Sequence, residues 1–171
     1  MKGHCILSHG LDSSPDATKV SAMARVAESI GWSSERLDYR DIDAMRDIRE
    51  VSTRLQRLVD AARNARQPLV LAGSSMGAYI SALATLEVEC IGLFLMAPPI
   101  ALPGYPTTLA ARNLPTTVIH GWHDELIPAA DVVLWSKMRS DHLILVDDDH
   151  RLTAHVDFVA QEFGRFLARL E

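Results

Sequence analysis

Short apolar runs alternate along the chain with longer stretches in which apolar residues return every three or four positions. A short run bounded by turn residues reads as a buried strand, whereas the three-to-four spacing gathers apolar side chains on one face of a helix. Six strands are predicted: residues 4–8 (HCILS), 35–39 (ERLDY), 69–73 (LVLAG), 91–96 (IGLFLM), 116–120 (TTVIH) and 142–146 (HLILV). Several are apolar almost throughout, as parallel strands covered on both faces must be. Between them Val20, Met23, Ala24, Ala27 and Ile30 keep helical spacing, as do Met45, Ile48, Leu55, Leu58, Val59 and Ala62. Val156, Val159, Phe163, Phe166, Leu167 and Leu170 make a closing helix. Strands alternating with helices predict an α/β fold, a three-layer open sheet of about six parallel strands with helices on both faces. Arg46, Asp47, Glu50, Arg54 and Arg57 fall on the far side of the second helix and read as a solvated face.

One stretch breaks the alternation. Residues 97–115 hold Pro98, Pro99, Pro103, Pro106 and Pro115, which fit neither a helix interior nor a central strand. The spacing predicts a loop leaving the carboxyl end of the fourth strand, the side on which open α/β sheets bind ligands.

Composition narrows the picture. A length of 171 residues suits one domain spanning 1–171. With 48% hydrophobic and 23% charged residues the chain is too apolar to be disordered. The net charge of -5 argues against a nucleic-acid partner, which would require clustered Lys and Arg. The N-terminus offers only Cys5-Ile6-Leu7 before Ser8, too little for a signal-peptide core, and no apolar run nears the ~18 residues of a membrane span. A cytoplasmic protein without a membrane partner is expected. Cys5 and Cys90 fall in segments that read as buried strands, where free Cys acts as a small hydrophobe.

The chemistry is concentrated in Gly73-Ser74-Ser75-Met76-Gly77, between the apolar run Leu69–Ala72 and the helical pattern Ala78, Ile80, Ala82, Leu83 and Leu86. A serine on so sharp a strand-to-helix turn adopts a strained backbone, and glycines two positions before and after remove Cβ atoms that would collide with strand and helix. With thirteen serines in the chain, chance yields this pattern on the order of once in fifteen such sequences, so its context matters.

That turn resembles the nucleophile elbow of the α/β-hydrolase superfamily, and three further segments extend the resemblance over nearly the whole chain. Ser8-His9-Gly10-Leu11 directly after the first strand is similar to the family's oxyanion turn. The resemblance implies backbone donors at Leu11 and Met76, with His9 and Gly10 beside the substrate. His120-Gly121-Trp122-His123-Asp124-Glu125-Leu126-Ile127-Pro128 looks like the family's acid loop, with Asp124 as the acid, Glu125 as its rival and Pro128 at the helix start. His150 follows the last strand, where the family places its base, so Ser75, Asp124 and His150 stand in the superfamily's order. Of seven histidines only His123, next to Asp124, competes. Asp147, Asp148, Asp149, His150 and His155 could be read as metal ligands, but acids clustered in a tight turn are more often solvated, and no metal is expected.

The resemblance therefore implies a serine hydrolase of the carboxylesterase kind, free of cofactors, acting on a small-molecule acyl ester or an acylated carrier. A thioesterase or acyl-protein hydrolase would use the same triad, and a non-catalytic binding module of this fold would be expected to lack one of its members. The chain opens on the strand that carries the oxyanion turn, which implies a minimal form lacking the family's first two strands. With only the proline-rich loop between the fourth and fifth strands and no helical cap, a shallow, open site selecting short or displayed acyl groups is expected. Leu11, Ala97, Ile100, Leu126 and either Tyr79 or Trp122 are the candidate pocket residues. Asp12, Ser13 and Ser14 could cap the first helix or touch substrate.

Overall fold

The computed structural model describes residues 1–47 and 50–171. Its centre is a parallel six-stranded sheet formed by β1 (His4–Ser8), β2 (Ser33–Leu37), β3 (Leu69–Ser74), β4 (Gly92–Met96), β5 (Thr116–Gly121) and β6 (His142–Val146), in the order β2-β1-β3-β4-β5-β6. Six α-helices surround it among the described residues: α1 (Thr18–Ser29), α2 (Arg40–Asp43), α3 (Glu50–Asn64), α4 (Met76–Ala84), α5 (Ala129–Arg139) and α6 (Val156–Arg169).

Alternation along the strands divides the core into two layers. Ile6, Leu69, Leu71, Leu93 and Leu95 face one side and pack with Leu58, Val59, Tyr79, Ile80 and Val132 from α3, α4 and α5. Cys5, Leu7, Val70, Ala72, Phe94 and Met96 face the other, against Met23 and Ala27 of α1 and Phe163, Phe166 and Leu167 of α6. The three-layer α/β architecture read from the sequence is thus the architecture of the protein. No helix among the described residues is long and apolar enough to cross a membrane.

Three local expectations change. The second strand lies two residues earlier than its apolar pattern suggests, because Ser33 pairs with His4 and Leu37 with Ser8. It is an edge strand with Glu35 and Arg36 exposed, so little hydrophobic patterning marks it. The second helix divides into α2 and α3, leaving Met45 in an exposed turn, while Ile48 lies outside the described residues. Arg54, assigned to a solvated face, is fully buried. Cys90 precedes β4 and is half-buried, whereas Cys5 is fully buried in β1.

The order of strands reverses between β1 and β3: the chain runs outward from β1 to β2, then returns to the other side of β1. In open α/β sheets the crevice at such a switch point, beyond the carboxyl ends of the strands, is where ligands bind. The segments following β1 and β3 both enter that crevice.

Candidate active site

At the carboxyl end of β3, Ser75 adopts φ 54 and ψ -118 before α4 begins at Met76. A Cβ on Gly73 would stand 2.2 Å from the Gly77 carbonyl oxygen, so the strand can reverse into the helix only without one. The Ser75 amide donates to the Met96 carbonyl at 2.9 Å, fastening the turn to β4.

The segments after β5 and β6 are stitched together by their backbones. Trp122 N donates to Val146 O at 2.9 Å and His123 N to Asp148 O at 3.0 Å, while Gly121 lies so close to Asp148 that a Cβ would stand 2.4 Å from its carbonyl oxygen. This places Asp124 beside His150. Asp124 Oδ1 accepts the amides of Leu126 and Ile127 at 2.9 and 2.8 Å, orienting the carboxylate, and Oδ2 meets His150 Nδ1 at 2.7 Å. The other nitrogen of His150, Nε2, lies 2.9 Å from Ser75 Oγ. One hydrogen-bonded chain therefore runs from Ser75 through His150 to Asp124, whose side chain is entirely shielded from solvent.

The competitors lie elsewhere. Glu125 is exposed, and His123 is an exposed residue paired with Asp147 at 2.8 Å. His155 is bonded to Asp148 at 2.8 Å, so the acidic turn spends two of its carboxylates on neighbouring histidines. His120, which the sequence places inside a strand, is buried beside Asp124, with Nε2 2.9 Å from Ile127 O and 3.5 Å from Asp124 Oδ2. Burial pushes its pKa below the ordinary histidine value.

After β1, the amides of Leu11 and Met76 donate to no other protein group among the described residues. Gly10 packs on the elbow, and a Cβ there would lie 3.5 Å from Ser75 Cβ. The His9 side chain is completely buried: its Nε2 accepts the Tyr39 amide at 3.0 Å and its Nδ1 donates to Gly10 O at 2.7 Å. These bonds hold the imidazole in one neutral tautomer, and burial, aided by the nearby Arg54 charge, lowers its pKa.

A cavity of about 640 Å³ opens at Ser75 and His150. His9, Gly10, Leu11 and Leu126 line it as expected, but Ala97, Ile100, Tyr79 and Trp122 do not. Tyr79 is wholly buried, with its hydroxyl donating to the Thr107 carbonyl, so it ties down the proline-rich loop instead of facing substrate. Trp122 is 56% exposed away from the cavity. The opposite wall comes from the start of α1 and from the segment after His150, through Thr18, Lys19, Val20, Thr153 and Val156, residues the sequence analysis missed. Lys19 donates to the Arg151 carbonyl, joining the two, and its pKa is lowered by burial. Only the gap between residues 10 and 18, where α1 is delayed after β1, hinted at this wall. None of Asp12, Ser13 and Ser14 caps α1, whose N-cap is Ala17. Asp12 pairs with Arg46 at 2.7 Å, and both Asp12 and Ser13 border the cavity.

Comparison with known proteins follows the same lines. A family model described as an alpha/beta hydrolase domain matches residues 2–158. A protein of the α/β hydrolase superfamily from Xanthomonas campestris pv. campestris shares 50% identity, with a TM-score of 0.94 over 98% of this chain and 99% of its own. Est1E from Butyrivibrio proteoclasticus has a TM-score of 0.79 at 20% identity, covering 98% of this chain and 88% of its own, and an esterase from Pyrococcus furiosus has 0.78 at 17%, covering 98% and 82%. These last two show likeness of fold. Among curated proteins none shows significant sequence similarity to the chain. Matched by the family model over residues 2–158 and half identical to a superfamily protein along its length, the chain belongs to the α/β hydrolase family.

Proposed function

We propose that the protein is a serine hydrolase that cleaves a small or exposed acyl ester through an acyl-enzyme, with Ser75 as nucleophile, His150 as general base and Asp124 as the acid that orients it. The hydrogen-bonded chain from Ser75 Oγ through His150 to Asp124, at 2.9 and 2.7 Å, carries this assignment. A serine hydroxyl is too weakly acidic to attack unaided. His150 Nε2 takes its proton as Oγ bonds to the acyl carbon, then returns that proton to the departing alkoxide as the ester C–O bond breaks. Water repeats the sequence on the acyl-enzyme and releases the acid. Asp124 holds the proton-bearing Nδ1 toward itself and stabilises the imidazolium. The free amides of Leu11 and Met76 are suited to donate to the oxyanion, a contribution of about 3–4 kcal/mol per donor in comparable sites.

Leu11, Leu126 and Val156 offer the acyl group a modest apolar surface, and the connection from β4 to β5 contains no helix that could cover it. Short acyl chains, or an acyl group displayed on a carrier, fit this arrangement, and a thioester would be cleaved by the same route. Labelling with a fluorophosphonate, followed by peptide mass spectrometry, tests the assignment. A single adduct on Ser75, absent from Ser75→Ala, is expected. Folded protein that forms no adduct, or forms it elsewhere, would instead be a binding module of this fold.

A further inference from the structure

The proposed chemistry leaves a buried ion pair unused. Arg54 of α3 meets Asp43 of α2 through Nε–Oδ1 at 2.8 Å and Nη2–Oδ2 at 2.7 Å, with side-chain exposures of 0% and 3%. Two charges taken from water seldom stabilise a core more than apolar residues of the same volume would. Among the described residues, the other side-chain hydrogen bonds of the pair converge on the turn after β1. Arg54 Nη1 donates to His9 O and Nη2 to Gly10 O, each at 3.0 Å, and Asp43 Oδ2 accepts the Asp12 amide at 3.0 Å.

Leu11 is therefore held from both sides, by the Gly10 carbonyl before it and the Asp12 amide after it. In a planar trans peptide the C=O and N–H point in opposite directions. A Gly10 carbonyl drawn into the core by Arg54 turns the Leu11 N–H outward, toward the cavity that Gly10, Leu11 and Ser75 border. His9 Nδ1 and Ser13 N donate to the same carbonyl at 2.7 and 3.3 Å, and Asp12 adopts φ 55, an unfavourable backbone for a residue with a side chain, which something must hold in place. The guanidinium itself is fixed over the Tyr39 ring at 4.5 Å. Only a planar fork of donors serves two carbonyls and a carboxylate at once.

We infer that Arg54 and Asp43 are positioning residues that aim the Leu11 amide at the oxyanion, an assignment that rests on the serine-hydrolase reading above. The test compares the wild-type chain with Arg54→Lys and with the double variant Arg54→Met/Asp43→Leu, which removes both charges while filling the space, a replacement buried ion pairs commonly tolerate. The readouts are kcat and KM for p-nitrophenyl acetate, inhibition by phenylboronic acid, whose tetrahedral adduct places an oxygen where the oxyanion forms, and thermal unfolding.

In the folded double variant kcat is expected to fall about 100-fold while KM stays within about threefold, because the amide acts on the transition state and not on bound ester. The inhibition constant of the boronate should rise by the factor by which kcat/KM falls, with Arg54→Lys intermediate. A merely structural pair would lower the melting temperature without this parallel change. A folded double variant with wild-type kcat and boronate affinity overturns the inference. Should the double variant fail to fold, Arg54→Lys decides the matter, since wild-type kcat and boronate affinity in that variant overturn it equally. Wild-type protein without turnover or a Ser75 adduct would overturn the serine-hydrolase reading itself, and the inference with it.

Discussion

Gly77 lies against Ser8 so closely that a Cβ on residue 77 would stand 2.1 Å from the Ser8 carbonyl oxygen and 2.7 Å from that of His9. The elbow and the turn after β1 are thus in backbone contact. Gly77→Ala should destabilise the fold by about 1–3 kcal/mol through overpacking, although alanine is favoured over glycine by about 1 kcal/mol within a helix. Urea unfolding distinguishes the two effects by sign: a stabilised variant would show that the turn yields to the added methyl group.

Asp124→Asn is expected to leave the fold intact, because an amide oxygen can still accept the Leu126 and Ile127 amides. The amide NH₂ would then face His150 and favour the wrong tautomer, which in a comparable triad lowers kcat about 10⁴-fold. Steady-state kinetics on an acetate ester, beside Glu125→Gln as a control without effect, checks this. A modest loss in Asp124→Asn, or a large one in Glu125→Gln, would reassign the acid.

His9 and His120 are both buried, and burial lowers the pKa of each below the ordinary value of 6.5. The unfolded chain gains protons below about 6.5 that the folded protein refuses, so the unfolded state binds more protons and stability falls as pH falls from that point toward the folded-state values. Melting temperature should therefore decline between pH 7.5 and 5.5, and less steeply in His120→Gln, which removes one of the two titrating groups. A flat profile in the wild-type protein would contradict neutral burial.

Tyr79→Phe removes the hydroxyl bonded to the exposed Thr107 carbonyl and should cost about 0.5–1.5 kcal/mol in stability, with kcat and KM unchanged. Leu126→Ala, at a site 68% exposed on the cavity rim, should do the reverse, shifting stability by less than about 0.5 kcal/mol while raising KM for apolar acyl groups. Denaturation and kinetics on the two variants separate loop anchoring from substrate contact, and a KM change in Tyr79→Phe would return that residue to the pocket.

Legibility in the sequence followed the range of the forces involved. The strands at 4–8, 69–73 and 142–146 were readable because their apolar runs are local, whereas β2, an edge strand with Glu35 and Arg36 exposed, took its register from pairing with β1. The charged stretch around Arg54 reads as solvated by periodicity alone. Its burial depends on α2 turning Asp43 toward it, a relationship between separate helices that no spacing within α3 reveals. The far cavity wall likewise arises where α1 approaches the segment after His150, joined by Lys19 and Arg151.

By itself the sequence determined the alternation of strand and helix and the elbow at Ser75, because hydrophobic period and the absence at Gly73 of a Cβ that would meet Gly77 act over a few residues. The tertiary structure alone decided that Asp124 and not Glu125 meets His150, that His9 is a buried brace, and that Arg54 enters the core. Those outcomes belong to packing between distant segments, where the direction of a side chain is set by the neighbour it meets and not by its place in the chain.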